Sequence, residues 1–126
     1  MSNRRYQEVQ PRNAAQLFPP TLDDYVAADN PVRAIDAYVG MLDLRELGFR
    51  HANARTGSGQ PPFDPAILLK LYIYGYQNRI RSSRQLEKAT RLNVEVMWLC
   101  QNVQPGYKTI ADFRKNNLKA LQQVNR

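Results

Sequence analysis

The sequence has little of what disulfides, metal sites and nucleophilic catalysis require, with one cysteine and one histidine among 126 residues. One cysteine forms no disulfide within the chain, and one cysteine with one histidine falls short of a zinc cluster. No apolar run approaches the ~20 residues of a membrane span, and the polar first residues are not typical of a signal peptide. The composition, 43% hydrophobic and 23% charged, is that of a globular domain. We therefore expect a cytoplasmic protein without cofactor, metal or membrane contact.

The net charge of +7 is confined to one half of the chain. Residues 1–60 carry seven arginines and seven acidic residues, so this half is neutral. Residues 61–126 carry eleven basic and four acidic residues, which accounts for the whole excess. A basic bias of this kind is expected of a protein that binds a polyanion, usually a nucleic acid. The alternative is a solvated basic surface that has no partner.

Composition also divides the chain along its length. Residues 1–20 are polar and interrupted by prolines, which predicts an extended arm. We expect residues 21–126 to form a single helical domain. Within it, residues 21–55 form neutral helices, the Gly- and Pro-containing stretch 56–62 forms a loop, and residues 63–126 form a basic helical unit.

Capping residues predict where the helices of this domain begin. Five positions carry a residue that commonly caps a helix start, and these are Asn30, Asp64, Ser82 or Ser83, Asn93 and Thr109. Pro31 and Pro65 directly follow two of them and suit the first helical position. A brief helix is predicted from Leu44 to Gly48. The last helix is expected to carry one continuous apolar stripe, formed by Ile110, Phe113, Leu118, Leu121 and Val124.

The segment from Ala66 to Tyr76 is apolar nearly all round and predicts the central buried helix. Leu69, Leu71 and Ile73 also alternate with larger polar residues as in a strand, but the cap and the length favour a helix. The tyrosines of this segment are interpreted as packing residues, with a base-stacking platform as the alternative. The fold class predicted is all-α, a compact multi-helix domain.

The stretch from Ser82 to Leu99 has the layout of a helix-turn-helix, with a tight turn at Leu92 and Asn93. Its second helix lacks arginine and lysine, so it is a poor reader of bases. The residues around it suit phosphates, which position a protein without specifying sequence. The predicted DNA contacts are Arg79, Arg81, Ser82, Ser83, Arg84, Lys88, Arg91, Lys108, Thr109, Arg114 and Lys115.

Enzymatic chemistry has weak support in the sequence. The aspartates before residue 60 are scattered without metal-ligand spacing and are interpreted as caps and surface charges. His51 lies between arginines and is expected to be exposed, and Cys100 is expected to be a buried, inert thiol. We therefore expect no active site and no small-molecule substrate.

Several short motifs occur together in a characteristic order. They are Pro61-Pro62-Phe63-Asp64-Pro65, then Tyr74-Gly75-Tyr76, and finally Thr109-Ile110-Ala111-Asp112-Phe113-Arg114. On these motifs the chain resembles, over about residues 15–118, the N-terminal domain of bacterial insertion-sequence transposases of the DDE type.

The resemblance implies a helical region that precedes an RNase H-like catalytic core and binds the terminal inverted repeats of the element. The metal-binding carboxylates of that family lie in the downstream core, so no catalytic residue carries over. We expect a non-catalytic domain whose partner is double-stranded DNA at transposon ends, with a homodimer left open. The alternatives are a protein-interaction module that docks onto a catalytic core, or a truncated remnant that acts as a regulator.

Overall fold

The computed structural model describes residues 21–49 and 63–124, and every regular element within these ranges is helical. This confirms the all-α prediction. A short 3₁₀-helix, Leu22–Tyr25, comes first. Six α-helices follow, which are α1 (Pro31–Gly40), α2 (Pro65–Gln77), α3 (Ser83–Leu92), α4 (Val94–Leu99), α5 (Tyr107–Asn116) and α6 (Leu118–Val124). The predictions for the arm at 1–20, for His51 and for the loop at 56–62 lie outside the described residues. No helix in the described ranges is long and apolar enough to cross a bilayer.

Four of the predicted helix starts are confirmed at the residue that caps them. Asn30 and Asp64 accept the backbone N–H groups of the second residue of α1 and of α2, each at 2.9 Å. Ser82 Oγ accepts the Gln85 N–H at 3.3 Å, and Asn93 Oδ1 accepts the Glu95 N–H at 3.0 Å. Local capping chemistry therefore sets the start of α1 through α4.

The helix α2 lies at the centre of the domain and contacts α1, α4 and α5. Leu69 and Leu71 are completely buried, and the buried Lys70 forms an ion pair with Asp36 of α1 at 2.7 Å. The Tyr74 hydroxyl donates to the Glu95 carboxylate at 2.8 Å. The prediction of a central helix is confirmed, and the strand alternative is wrong.

The 3₁₀-helix is held against α1 and α4 by polar contacts. The Asp23 carboxylate accepts the Trp98 indole N–H at 2.9 Å and pairs with the Arg33 guanidinium at 3.0 Å. The hydrogen bond from Trp98 and the charge of Arg33 lower the pKa of Asp23. Arg33 also lies 4.9 Å from the centre of the Trp98 ring. These contacts join the neutral start of the domain to its basic part.

The predicted helix from Leu44 to Gly48 is wrong, because these residues form a turn. The Asp43 carboxylate accepts the Glu46 N–H at 3.2 Å, and the Phe49 N–H donates to the Leu44 carbonyl at 3.0 Å. Gly48 has a φ of 89°, a left-handed conformation that glycine adopts without strain. A segment of this length does not recover the free-energy cost of helix nucleation unless packing supports it.

The predicted start of α5 at Thr109 is also wrong, since the helix begins two residues earlier. Its N-cap is Gly106, which has no side chain to offer. Glu87 of α3 supplies the acceptor instead, and its Oε1 lies 3.0 Å from the Tyr107 N–H. The cap comes from a residue twenty positions away in sequence, and local pattern reading does not find it.

The last apolar stripe is divided between two helices rather than continuous. The chain leaves helical geometry at Asn117, which has a φ of −128°. Asn117 is buried, and its amide donates to the Phe113 carbonyl at 2.8 Å. Leu121 is buried as predicted, whereas Leu118 is 60% exposed. The adjacent Asn116 and Asn117 have low helix propensity and are the sequence signal for this break.

Candidate nucleic-acid interface

Three long cationic side chains form one line on α3. Arg84, Lys88 and Arg91 are spaced four and three residues apart, which places them on the same face of a helix. All three are exposed, whereas Leu86 and Thr90 on the opposite face are completely buried. We call Arg84, Lys88 and Arg91 the basic stripe.

The single acidic residue of α3 is directed away from the basic stripe. Glu87 is half-buried, and its carboxylate accepts the Tyr107 N–H at the start of α5. A carboxylate at a helix N-terminus is stabilised by the helix dipole and by the free N–H groups there. The contact holds the negative charge at α5, so the basic stripe carries no acidic residue.

A second contact joins the basic stripe to α5. The Arg84 guanidinium lies 4.0 Å from the centre of the Tyr107 ring, within the range of a cation–π interaction. Exposed Lys108 follows directly, and Lys115 is exposed on the same face two turns later. Asp112 is exposed between these lysines at four and three residues, so it offsets part of their charge. The uncompensated positive charge is therefore greatest on α3.

The expected phosphate contact at Thr109 is not supported by the geometry. Thr109 is the third residue of α5 and is half-buried, so it does not cap the helix. The acceptor at this helix start is already Glu87. Ser82 is exposed as the cap of α3, and Ser83 is its first residue.

Arg114 serves a packing role in this structure. One of its terminal nitrogens donates to the Arg81 carbonyl at 2.6 Å, and its guanidinium lies 5.8 Å from the Tyr72 ring centre. Its Nε is buried without a hydrogen-bond partner in the described part of the chain. Arg81 is exposed and lines a small cleft together with Arg79, which has a φ of 59°. These three arginines thus lie before α3 and beside α2, off the basic stripe.

The helix α4 is packed rather than free. It has six residues and contacts the 3₁₀-helix, α1, α2 and α3. Val96 and Leu99 are completely buried, and Glu95 accepts hydrogen bonds from Tyr74 and from Asn30. A recognition helix needs an exposed polar face, which in this hairpin belongs to α3. The helix-turn-helix interpretation stays a prediction.

Cys100 is buried as predicted, and burial raises its pKa to about 12. Over residues 21–49 and 63–124, no group of three or more His, Cys, Asp or Glu side chains could hold a metal ion.

Two surface features escaped the sequence reasoning, namely the exposure of Tyr76 and of Leu118. Both side chains line apolar grooves that form only when α2 packs beside α6. The Asn116–Asn117 pair is the one signal in the sequence that pointed to Leu118.

Comparison with known families connects this geometry to a biological context. A family model described as "Transposase domain (DUF772)" matches residues 20–116, which is most of the chain. Comparisons with curated proteins and with solved structures find no match. The match spans all six starts from the 3₁₀-helix to α5 together with the basic stripe. The chain belongs to the DUF772 family of transposase domains.

Proposed function

We propose that this transposase domain is a non-catalytic DNA-binding domain that binds the terminal inverted repeats of its element in the bacterial cytoplasm. The observation that carries the proposal is the basic stripe, three exposed cations in line on a helix face without an acidic residue. The family membership supports a role in DNA transposition.

The dimensions of the basic stripe suit a DNA backbone. Arg84 and Arg91 are seven residues apart, or about 10 Å along a helix axis. Phosphates on one strand of B-DNA advance about 3.4 Å along the duplex axis per nucleotide. The basic stripe can therefore neutralise about three phosphates, and Lys108 near Arg84 extends the contact toward α5. Phosphate contacts fix position and register, so we expect them to contribute to affinity for every duplex.

Charge reversal on α3 tests the proposal. The double variant Arg84→Glu with Lys88→Glu should bind a 30-base-pair duplex from the element's end at least tenfold more weakly than wild type at 50 mM salt. Fluorescence anisotropy of a labelled duplex measures this. Helical circular dichroism should be unchanged, because both side chains point to solvent.

The matched control is Arg45→Glu, which reverses an exposed arginine in the turn after α1. Equal weakening by Arg45→Glu would contradict a located interface, since net charge alone would then explain binding. Absence of wild-type binding at low salt would remove the proposal. Preference for the end duplex over a scrambled duplex tests the recognition of inverted repeats separately.

A second role, the docking of another polypeptide, is favoured by a different surface. Apolar grooves lie on both sides of Tyr76, and neither groove includes a residue of the basic stripe.

A further inference from the structure

Two apolar grooves meet at Tyr76, which is 70% exposed. The first groove has a volume of about 390 Å³, and its walls are Tyr72, Tyr76, Ile80, Arg81, Arg114, Leu118, Leu121 and Gln122. The second has a similar volume of about 390 Å³, and its walls are Ala34, Ile35, Tyr38, Ile73, Tyr76, Gln77 and Val124. Each volume is at the lower end of the range of about 300–1,000 Å³ that is typical of ligand pockets. Tyr76 therefore forms a ridge between two sites that each suit an apolar side chain.

The exposed apolar residues of these grooves have no partner of their own kind nearby to cover them. Leu118 is 60% exposed and Tyr38 is 39% exposed, on either side of Tyr76. Contiguous exposed apolar surface with a polar rim is typical of interaction sites. Two pockets separated by one aromatic ridge fit successive apolar side chains of an amphipathic segment.

The charge of the first groove selects the partner further. Arg81 and Arg114 are the charged residues among the described residues that line either groove. Within the described part of the chain, Arg114 makes one hydrogen bond out of the five that a guanidinium can donate. Carboxylates pair with guanidinium groups through short, charge-assisted hydrogen bonds. A partner that carries acidic side chains beside its apolar ones therefore complements this surface.

The remaining segments of the same chain lack that complementarity. Residues 1–20 carry three arginines and one glutamate, and residues 50–62 carry two arginines and no acidic residue. Nucleic acid also fits poorly, because aliphatic walls such as Ile80, Leu118 and Leu121 offer nothing to a hydrated phosphate backbone. The complement is a different polypeptide.

We infer that the grooves on either side of Tyr76 bind an acidic amphipathic segment of a partner polypeptide. One apolar side chain enters each groove, and a carboxylate of the segment pairs with Arg81 and Arg114. This inference is independent of the DNA-binding proposal, since the basic stripe lies outside both grooves.

A designed peptide pair tests the inference. The probe is a fluorescein-labelled 14-residue helical peptide with leucines at heptad spacing and glutamates flanking them. The matched control peptide has lysine at every glutamate position. We expect the acidic peptide to bind the full chain at micromolar concentration and the basic peptide to bind at least tenfold more weakly, measured by anisotropy.

Protein variants locate the binding. Tyr76→Ser and Leu118→Ser should each weaken the acidic peptide at least fivefold, whereas Met41→Ser should leave it unchanged. Met41 is 79% exposed at the end of α1 and lines neither groove, so it is a matched loss of exposed apolar surface. Both groove variants should keep wild-type affinity for duplex DNA. A failure here is thus distinguishable from a failure of the DNA-binding proposal.

Three results would overturn the inference. The first is equal affinity for the acidic and basic peptides, and the second is acidic-peptide binding that Tyr76→Ser and Leu118→Ser leave intact. The third is concentration-dependent self-association that either groove variant abolishes, because the occupant would then be a second copy of the chain. Analytical ultracentrifugation of wild type and both variants measures the last.

Discussion

Gly75 lies where the turn after α2 returns against its own helix. A Cβ atom built at this position would lie 2.8 Å from the Ile80 carbonyl oxygen and 3.1 Å from a Leu86 methyl group. The Ile80 N–H also donates to the Gly75 carbonyl at 2.7 Å, so the backbone there is held in place. The glycine in Tyr74-Gly75-Tyr76 thus allows the path that leads into α3 and the basic stripe.

Gly75→Ala is therefore expected to destabilise the domain, although alanine is the better helix former. Overpacking against backbone atoms costs about 1–3 kcal/mol in the free energy of unfolding, measured by urea denaturation. Gly40→Ala is the control, because a Cβ there meets nothing within 4 Å. Gly40→Ala should be neutral or stabilising by up to ~1 kcal/mol. Equal stability of Gly75→Ala and wild type would contradict the close approach.

Tyr74 is the residue whose ionisation is most closely linked to folding. Burial, with the hydrogen bond to Glu95 and the charge of Glu95, raises the pKa of Tyr74 from its usual value of 10.0 to about 12. The folded state therefore keeps this proton where the unfolded chain has released it. The stability that the neutral hydroxyl contributes is complete below pH 10 and is lost as the pH rises toward 12.

Tyr74→Phe should flatten the alkaline loss of stability. We expect the free energy of unfolding to fall less between pH 9.5 and 11.5 than in wild type, measured by urea denaturation at each pH. At pH 7 the variant should be less stable by about 1–3 kcal/mol, because the Glu95 carboxylate loses a donor. Tyr76→Phe, which removes an exposed hydroxyl, is the control. An alkaline loss in Tyr74→Phe as steep as in wild type would contradict the linkage.

At the scale of elements, Asn93 sets the junction between α3 and α4. Its backbone N–H donates to the Ala89 carbonyl at 2.9 Å, and its Oδ1 accepts from Glu95 and Val96 at the start of α4. Its amide nitrogen also donates to the Tyr74 hydroxyl at 3.2 Å. One side chain therefore ends one helix, begins the next and fixes both to α2.

Asn93→Ala should destabilise the domain by about 1–2 kcal/mol, since a helix cap and a buried hydrogen bond are lost together. Ser82→Ala is the matched control, because Ser82 caps α3 through a single hydrogen bond of 3.3 Å at an exposed site. We expect its cost to be about half as large. Thermal unfolding followed by circular dichroism measures both. A larger loss in Ser82→Ala would show that the Asn93 junction is not the stronger one.

The elements that were predictable from sequence are those whose determinants are local. Asn30, Asp64, Ser82 and Asn93 cap helices through neighbours two or three residues away, and the periodicity of α3 already placed the basic stripe on one face. The start of α5 depends on Glu87 from another helix. The engagement of Arg114 by Arg81 likewise depends on how α5 packs near the start of α3. Contacts of this kind are decided by tertiary packing, so helical periodicity and local caps do not reveal them.

At the scale of the whole molecule, charge and apolar surface are distributed over different elements. The basic stripe lies on α3 and approaches α5, whereas the two grooves lie between α2, α6 and the helices beside them. The Tyr74–Glu95–Asn30 network and the Lys70–Asp36 ion pair hold the helices between these surfaces. A single small domain is thus proposed to bind DNA with one surface and a polypeptide with another.

The salt dependence of DNA binding tests the central claim most directly. Each neutralised phosphate contributes about −0.9 to the slope of log K against log salt concentration. Replacing Arg84, Lys88 and Arg91 together by alanine should reduce the magnitude of that slope by about 2.7, measured by anisotropy between 50 and 200 mM salt. An unchanged slope in the triple variant, with its helical content intact, would contradict DNA binding through the basic stripe.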